Sequence, residues 1–345
     1  MDQKANIPQL LLHPAFSVED GRIARINREA GKYLLEEGTP VRSLIAAGLE
    51  EYETFESGVL CLTLCIGGQN VAASVMDTEQ GQLFILEQDA QDAHLQAMAL
   101  VAQALRPPLS GVMAAAERLE NGDSQLNRRV FQMLRMVSNM SDAARFASHK
   151  SSQEYVDAVA MAREILDRAA VLAGEAGYAL HFSVPQEPVY TLADRELLER
   201  AIYNLLSNAM KFSPAGGTIR AALVRRGNSL RFTLEDPGRG IDSDVQSSLF
   251  QRYMRQPGLE DPNHGLGLGM VLVRLAAAAH GGTVLIDRPR ETGTRITLTI
   301  SIRHDTAGNV RSPKLRIDYA GERDHALVEL SDVLPAKLYE NENIR

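Results

Sequence analysis

At 345 residues the chain is longer than one ordinary core requires, so two or three domains are expected. Its 45% apolar and 23% charged residues are those of a soluble globular protein, and a net charge of -8 with scattered Lys and Arg counts against nucleic acid as a partner. No run nears the roughly 20 apolar residues of a membrane span, and the N-terminus lacks a basic-then-apolar signal pattern, so a cytoplasmic protein is expected.

In chain order, Phe16 to Glu19, Asp20-Gly21 and Arg22 to Ile26 read as two strands about an Asp-Gly turn. A helical piece is expected over Arg28 to Leu35. Strands then follow at 58–66, 71–77 and 82–87, divided by Gly67-Gly68 and Glu79-Gln80-Gly81. The only cysteines, Cys61 and Cys65, stand four apart in the apolar run of 59–66. On a strand they share a face, cannot easily join in a disulfide, and are expected to be buried and structural. A small antiparallel sheet fits residues 10–88. Asp20-Gly21-Arg22-Ile23 with Asn27 and Ala30 resembles a PAS sensor domain; a small α+β domain used for dimerisation is the alternative.

Over 89–150 the period becomes helical. Leu95, Met98, Ala102, Leu105, Leu109, Val112, Ala116 and Leu119 hold a heptad seam, broken at Asn121-Gly122-Asp123 with Ser124 as N-cap. A second helix carries Leu126, Val130, Met133, Val137 and Met140 on one face. Two such helices cannot bury both stripes alone, so a homodimer through 89–150, with a four-helix bundle, is expected. The Met-rich stripe reads as core.

Residues 153–303 read as an α/β domain. Helices are expected at 156–173, 194–211 and 270–279, and strands at 179–184, 218–225, 229–235, 282–287 and 293–302. The tail, 304–345, is polar with an amphipathic piece at 325–334 and receives no role.

Three segments carry chemistry. On the helix over 194–211, Asn204, Asn208 and Lys211 stand at i, i+4 and i+7, one polar line whose amides can ligate a hard cation and whose ammonium can meet a phosphate. A solvated helix face is the alternative. Next, Asp236-Pro237-Gly238-Arg239-Gly240-Ile241 follows a strand; its carboxylate can accept from an exocyclic amine, and Gly238 and Gly240 allow close backbone approach. Last, Gly265, Gly267 and Gly269 alternate at the start of a helix, where free N–H groups favour an anion. Neither a dinucleotide fingerprint nor a Walker loop is present.

In this order the segments resemble the N, G1 and G2 boxes of the ATPase fold shared by histidine kinases, gyrase, the heat-shock chaperone and mismatch-repair proteins. With His280-Gly281-Gly282, Thr292-Gly293-Thr294 and an F-box-like 249–255, the resemblance is to the histidine-kinase branch. It implies an α/β sandwich of Bergerat type binding ATP and Mg²⁺. Asn208 would hold Mg²⁺, Asn204 and Lys211 would meet the phosphates, and Asp236 would read adenine. Gly238, Gly240, Gly265, Gly267 and Gly269 would approach the nucleotide, with 256–264 as the lid. Pro237 departs from the family's small or polar residue and stiffens the turn. Where hydrolytic relatives place a glutamate base stands Asn204, so free hydrolysis should be slow.

The segment Ala102-Gln103-Ala104-Leu105-Arg106-Pro107-Pro108-Leu109 resembles the family's H box, with Gln103 at the phosphoacceptor position, Ala104 at the acid and Pro107 at the phosphatase Thr. An amide nitrogen has no nucleophilic lone pair. His94 falls on the other side of the helix from Gln103, and His149 near the end of the second helix, so each reads as a solvated residue. The expectation is an α+β, multidomain sensor histidine kinase homologue: a PAS-like domain, a dimerising hairpin and a nucleotide domain, acting with a response regulator or partner kinase. Two alternatives remain: an active protein kinase with another acceptor in cis or trans, and a non-catalytic dimeric module stabilised by nucleotide.

Overall fold

The computed structural model describes residues 13–78, 81–87, 90–117, 123–147, 153–241, 268–289, 292–304 and 324–344. Strands β1 (Ala15–Glu19) and β2 (Arg22–Ile26) form the expected hairpin. Asp20 and Gly21 take φ of 50° and 73°, the pair of left-handed residues that matches strand twist. The helical piece expected next is only a 3-10 turn, Ala30–Tyr33. Asn27 explains the contraction: its buried Oδ1 accepts from the N–H groups of Ala15 at 3.0 Å and Ala30 at 2.8 Å, tying the turn to the sheet.

A second 3-10 turn (Val41–Leu44), β3 (Ile45–Ala47) and α1 (Leu49–Glu53) fill a stretch whose pattern suggested no element. Strands β4 (Val59–Ile66), β5 (Gln69–Thr78) and β6 (Gly81–Leu86) follow as expected. Only Cys61 of the two cysteines is buried; Cys65 is exposed, which corrects the expectation for that residue. Both stand on one face of β4, but the core that covers Val59 and Cys61 does not extend to Cys65, next to the turn at Gly67-Gly68. Burial pushes the Cys61 thiol up to about 12, so it stays protonated and inert.

Helices α2 (Ala90–Glu117) and α3 (Ser124–Ala147) lie against each other. Asp123, not Ser124, caps α3, its Oδ1 accepting from Gln125 N–H at 2.8 Å. Half of each stripe is covered. Ala102, Leu109, Ala116, Val130 and Val137 are buried, whereas Leu105, Val112, Leu126 and Met133 remain 39–45% exposed. Leu119 lies outside the described residues. Pro107 and Pro108 sit within α2.

The helix expected from 156 begins two residues later, because β7 (Glu154–Asp157) pairs with β9 (Tyr190–Ala193). Asp157 then caps α4 (Ala158–Glu175), its Oδ1 accepting from Val159 and Ala160. Strand β8 (Ala179–Ser183) leads on to α5 (Arg195–Phe212), capped by Asp194, and to β10 (Thr218–Arg226) and β11 (Ser229–Asp236). Helix α6 (Gly269–Ala279), β12 (Thr283–Asp287) and β13 (Thr294–Ser301) complete this part. The tail holds α7 (His325–Glu329) and a 3-10 turn at Ala336–Tyr339.

All strands but β7 and β9 join one eleven-stranded sheet in the order β2-β1-β6-β5-β4-β12-β13-β11-β10-β8, with β3 also on β4. The seam is β4 with β12, antiparallel, pairing Cys61 with Val284, Leu60 with Leu285 and Val59 with Ile286. Side chains alternate across it: Val59, Cys61, Val284 and Ile286 enter the large core of the C-terminal part, while Leu60, Leu62 and Leu285 enter or flank the core around Phe16 and Phe84. Strand β4 is thus buried on both faces, which is why its sequence is a continuous apolar run. Helices α4 and α5 cover one face of the C-terminal strands, where Met161, Leu198 and Ile202 meet Leu230, Phe232 and Leu298.

Candidate functional site

Strand β11 delivers Asp236 to the sheet end beside Thr294 of β13. Its Oδ1 accepts from Gly238 N–H at 2.8 Å, and Thr294 adds further hydrogen bonds. Burial raises its pKa above the ordinary carboxylate value, and the bonds from Gly238 and Thr294 oppose that rise. The turn is built around absent side chains. A β-carbon on Gly293, where φ is 99°, would stand 2.4 Å from the Asp236 carbonyl oxygen. One on Gly238 would stand 2.6 Å from both Asp236 Oδ1 and the Phe212 carbonyl oxygen. The close approach that Gly238 permits is thus to the C-terminal end of α5. Gly240, at φ 80°, lies beside Arg288, which donates from Nη2 to the Ile241 carbonyl at 3.0 Å.

Helix α5 carries the polar line. Asn204 is 2% exposed, while Asn208 and Lys211, one and two turns on, are half-buried. Both polar atoms of the Asn204 amide are engaged: Nδ2 donates to the Arg200 carbonyl at 2.9 Å, and Oδ1 accepts from Arg135 Nη2 of α3 at 3.1 Å. Against the same oxygen lies Gly269, whose β-carbon would come within 2.7 Å of it. Leu268, which precedes the first turn of α6, makes no side-chain cap hydrogen bond. The C-terminal half of α5 is therefore a common wall, touching the Asp236 turn at Phe212 and the opening of α6 at Asn204.

His280 closes this frame. It is fully buried, with Nδ1 2.6 Å from the Ala276 carbonyl and Nε2 accepting from Asp194 N–H at 2.9 Å, so the end of α6 is tied to the cap of α5. Burial lowers its pKa, and the neutral ring with its proton on Nδ1 fits both partners. A β-carbon on Gly282 would stand 1.8 Å from the Thr299 carbonyl oxygen, so the strand after α6 can approach β13 only with glycine there.

Asn204, Asn208 and Lys211 thus lie along α5, with the Asp236–Gly238 turn against its end at Phe212 and Gly269 against Asn204, whereas Gly240 lies beside Gly293 and Arg288. Gly265, Gly267 and the segments 249–255 and 256–264 lie outside the described residues, as does His149. Gln103 stands on an exposed position of α2. Sequence reasoning missed Arg135, which bonds Asn204 and also donates to Ser207 Oγ at 3.0 Å. An arginine in an amphipathic helix reads as solvated, and no local signal marks it as buried. Thr294 was noted only as part of a closing motif; its place opposite Asp236 follows from strand pairing. Among the described residues, no group of three His, Cys, Asp or Glu could hold a metal ion. An amide oxygen such as that of Asn208 lies outside that residue set.

Residues 193–304 match the family described as histidine kinase-, DNA gyrase B-, and HSP90-like ATPase. The sensor protein KdpD of Clostridium acetobutylicum is 28% identical over 195 residues, covering 52% of this chain and 21% of its own length. The sensor-like histidine kinase SenX3 of Mycobacterium tuberculosis is 29% identical over 238 residues, covering 64% of this chain and 58% of its own. Among solved structures, full-length ShkA in complex with AMPPNP is similar at 23% identity and a TM-score of 0.49, covering 61% of this chain and 46% of that one. The chain thus spans less than two thirds of the length of these curated relatives. No described helix is long and apolar enough to cross a membrane. Residues 193–304 form a histidine kinase-, DNA gyrase B- and HSP90-like ATPase domain, in a chain whose curated relatives are sensor histidine kinases.

Proposed function

We propose that the chain is a cytoplasmic signalling protein of sensor-histidine-kinase type that binds Mg-ATP and lacks the usual phosphoacceptor. The observation that carries the reading is the common wall of α5, where the turn that holds the half-buried carboxylate of Asp236 and the first residue of α6, Gly269, meet one helix. A carboxylate so fixed suits an exocyclic amine, and the start of a helix suits phosphate. Asn208 would offer its amide oxygen to Mg²⁺, and Lys211 its ammonium to a phosphate, with Asn204 beside them. Gly238, Gly240, Gly265, Gly267 and Gly269 would line the nucleotide's path. Bound ATP would supply a transferable phosphoryl group; this chain's residues bind and orient it.

On this reading 10–88 is a PAS-like input domain and 89–150 a dimerising hairpin. The half-exposed Leu105, Val112, Leu126 and Met133, together with Met136, support a homodimer through that hairpin. Gln103, at the acceptor position, supports a pseudokinase that signals through a response regulator or partner kinase.

The test is incubation with γ-labelled Mg-ATP beside an Asp236→Asn variant. Native protein should bind the nucleotide and acquire no acid-labile phosphate, and the variant should bind at least about tenfold more weakly, as the loss of a charge-assisted hydrogen bond demands. Unchanged affinity in the variant removes Asp236 from the site. Label on the native protein alone establishes a kinase with an acceptor other than residue 103.

A further inference from the structure

The tail, which the sequence left without a role, is built into the joint between α3 and the nucleotide domain. Tyr339 is fully buried, its ring 5.1 Å from that of Phe131 on α3 and its hydroxyl donating to the Leu327 carbonyl at 2.7 Å. From α3, Asn127 Nδ2 donates to the Tyr339 carbonyl at 2.8 Å and to Asn341 Oδ1 at 3.0 Å. Arg128 reaches the Ser331 and Asp332 carbonyls at 3.2 and 3.0 Å. On the other side, Asp324 pairs with Arg168 of α4, and buried Glu329 stands 3.5 Å from Arg200 of α5. The tail thus spans the hairpin and two helices of the nucleotide domain.

One side chain links this tail to the candidate site. Arg135, 8% exposed, pairs with Asp332 at 2.7 Å and with Glu329 at 3.6 Å. The same guanidinium occupies the acceptor oxygen of Asn204 at 3.1 Å and that of Ser207 at 3.0 Å. A buried guanidinium needs its carboxylates. While the tail is seated, Arg135 is held on Asn204, and the amide of Asn204 is filled from both sides.

We propose that residues 324–344 are an autoinhibitory strap. Seated, they hold α3 on α5 and press Arg135 onto Asn204; displaced, they release both. This rests on the reading that Asn204 belongs to the nucleotide site. Nucleotide then binds best to the strap-open state, and apparent affinity is reduced by the fraction of molecules that are open. By reciprocity the nucleotide displaces the strap.

The test uses the full chain with Mg²⁺ and the non-hydrolysable analogue AMPPNP. Affinity is measured by calorimetry and amide exchange by mass spectrometry, for native protein, Tyr339→Ala and the milder Asn127→Ala, which removes only the two tail hydrogen bonds of that residue. Both variants should exchange faster over 324–344 and 124–135 and bind AMPPNP more tightly, by on the order of tenfold. In native protein, AMPPNP should speed exchange over 324–344. Faster exchange with unchanged or weaker affinity overturns the inhibition, and unchanged exchange in Asn127→Ala and Tyr339→Ala overturns the strap. Absence of binding by every form overturns the nucleotide reading and the inhibition with it, while exchange still decides whether the tail clamps α3.

Discussion

The N-terminal sheet and the helical hairpin are attached to the nucleotide domain in opposite ways. Strand β4 meets β12 through main-chain pairing, with apolar side chains on both faces. Helix α3 meets α5 and the tail through a charge network with a buried centre: Arg135, Arg200, Asp142 and Glu329, flanked by the more exposed Arg145, Glu196 and Asp332. A main-chain seam has one register, since a slip by one residue turns every side chain to the wrong face. A charge network is held by compensation, so removing one member leaves others buried and uncompensated. The first join suits a fixed frame, the second a contact that can be released.

The largest effect should follow from breaking the second join. Arg200 is 3% exposed and faces Asp142 and Glu329, which are 6% and 1% exposed as side chains. Arg200→Met leaves both carboxylates buried beside an apolar chain, and chemical denaturation should show a loss of about 3–5 kcal/mol. The seam is probed by Gly58→Ala. Gly58 has φ of 94°, and a β-carbon there would stand 2.1 Å from the Ile286 carbonyl oxygen, on the seam itself. Backbone strain and overlap together should cost about 2–4 kcal/mol, and exchange of β12 amides should rise with it. If Gly58→Ala is neutral, the seam is not a fixed frame.

The smallest effect sharpens the contrast. Arg231 of β11 bridges to Glu50 and Glu51 of α1 at 2.8 and 3.2 Å, an ion pair between the same two regions but at the surface, with Glu50 66% exposed. Arg231→Ala should change stability by less than about 1 kcal/mol, and that change should vanish at high salt. A larger loss would show that charge, and not main-chain pairing, holds the N-terminal part in place.

Legibility in the sequence followed locality. The Asp20-Gly21 turn, the five strands that the nucleotide domain gives to the large sheet and the helix that carries Asn204, Asn208 and Lys211 are set by neighbours in sequence, and the pattern predicts all of them. Strands β7 and β9 are four residues each and owe their form to pairing with each other across 190–157, so helical periodicity over 156–173 masked the first of them. The seam is non-local, yet it left a trace: the run 59–66 is apolar at successive positions where a half-buried strand would alternate. Arg135 and Glu329 left none, because a charge that will be buried has the same letter as one that will be solvated. Along the heptad seam, Ala102, Leu109 and Ala116 turn inward while Leu105 and Val112 face out from the single chain, as a stripe that two helices cannot bury alone must.

The two prolines of α2 bear on how force could travel along it. Neither Pro107 nor Pro108 has an N–H, so the carbonyls of Gln103 and Ala104 lose the helical donors that four residues' spacing would supply. Two successive rungs are missing from one turn, beginning at Gln103. A rod with such a notch is softest there. A torque applied to α2 at Ala90 would bend the helix at that turn before it reached Met113.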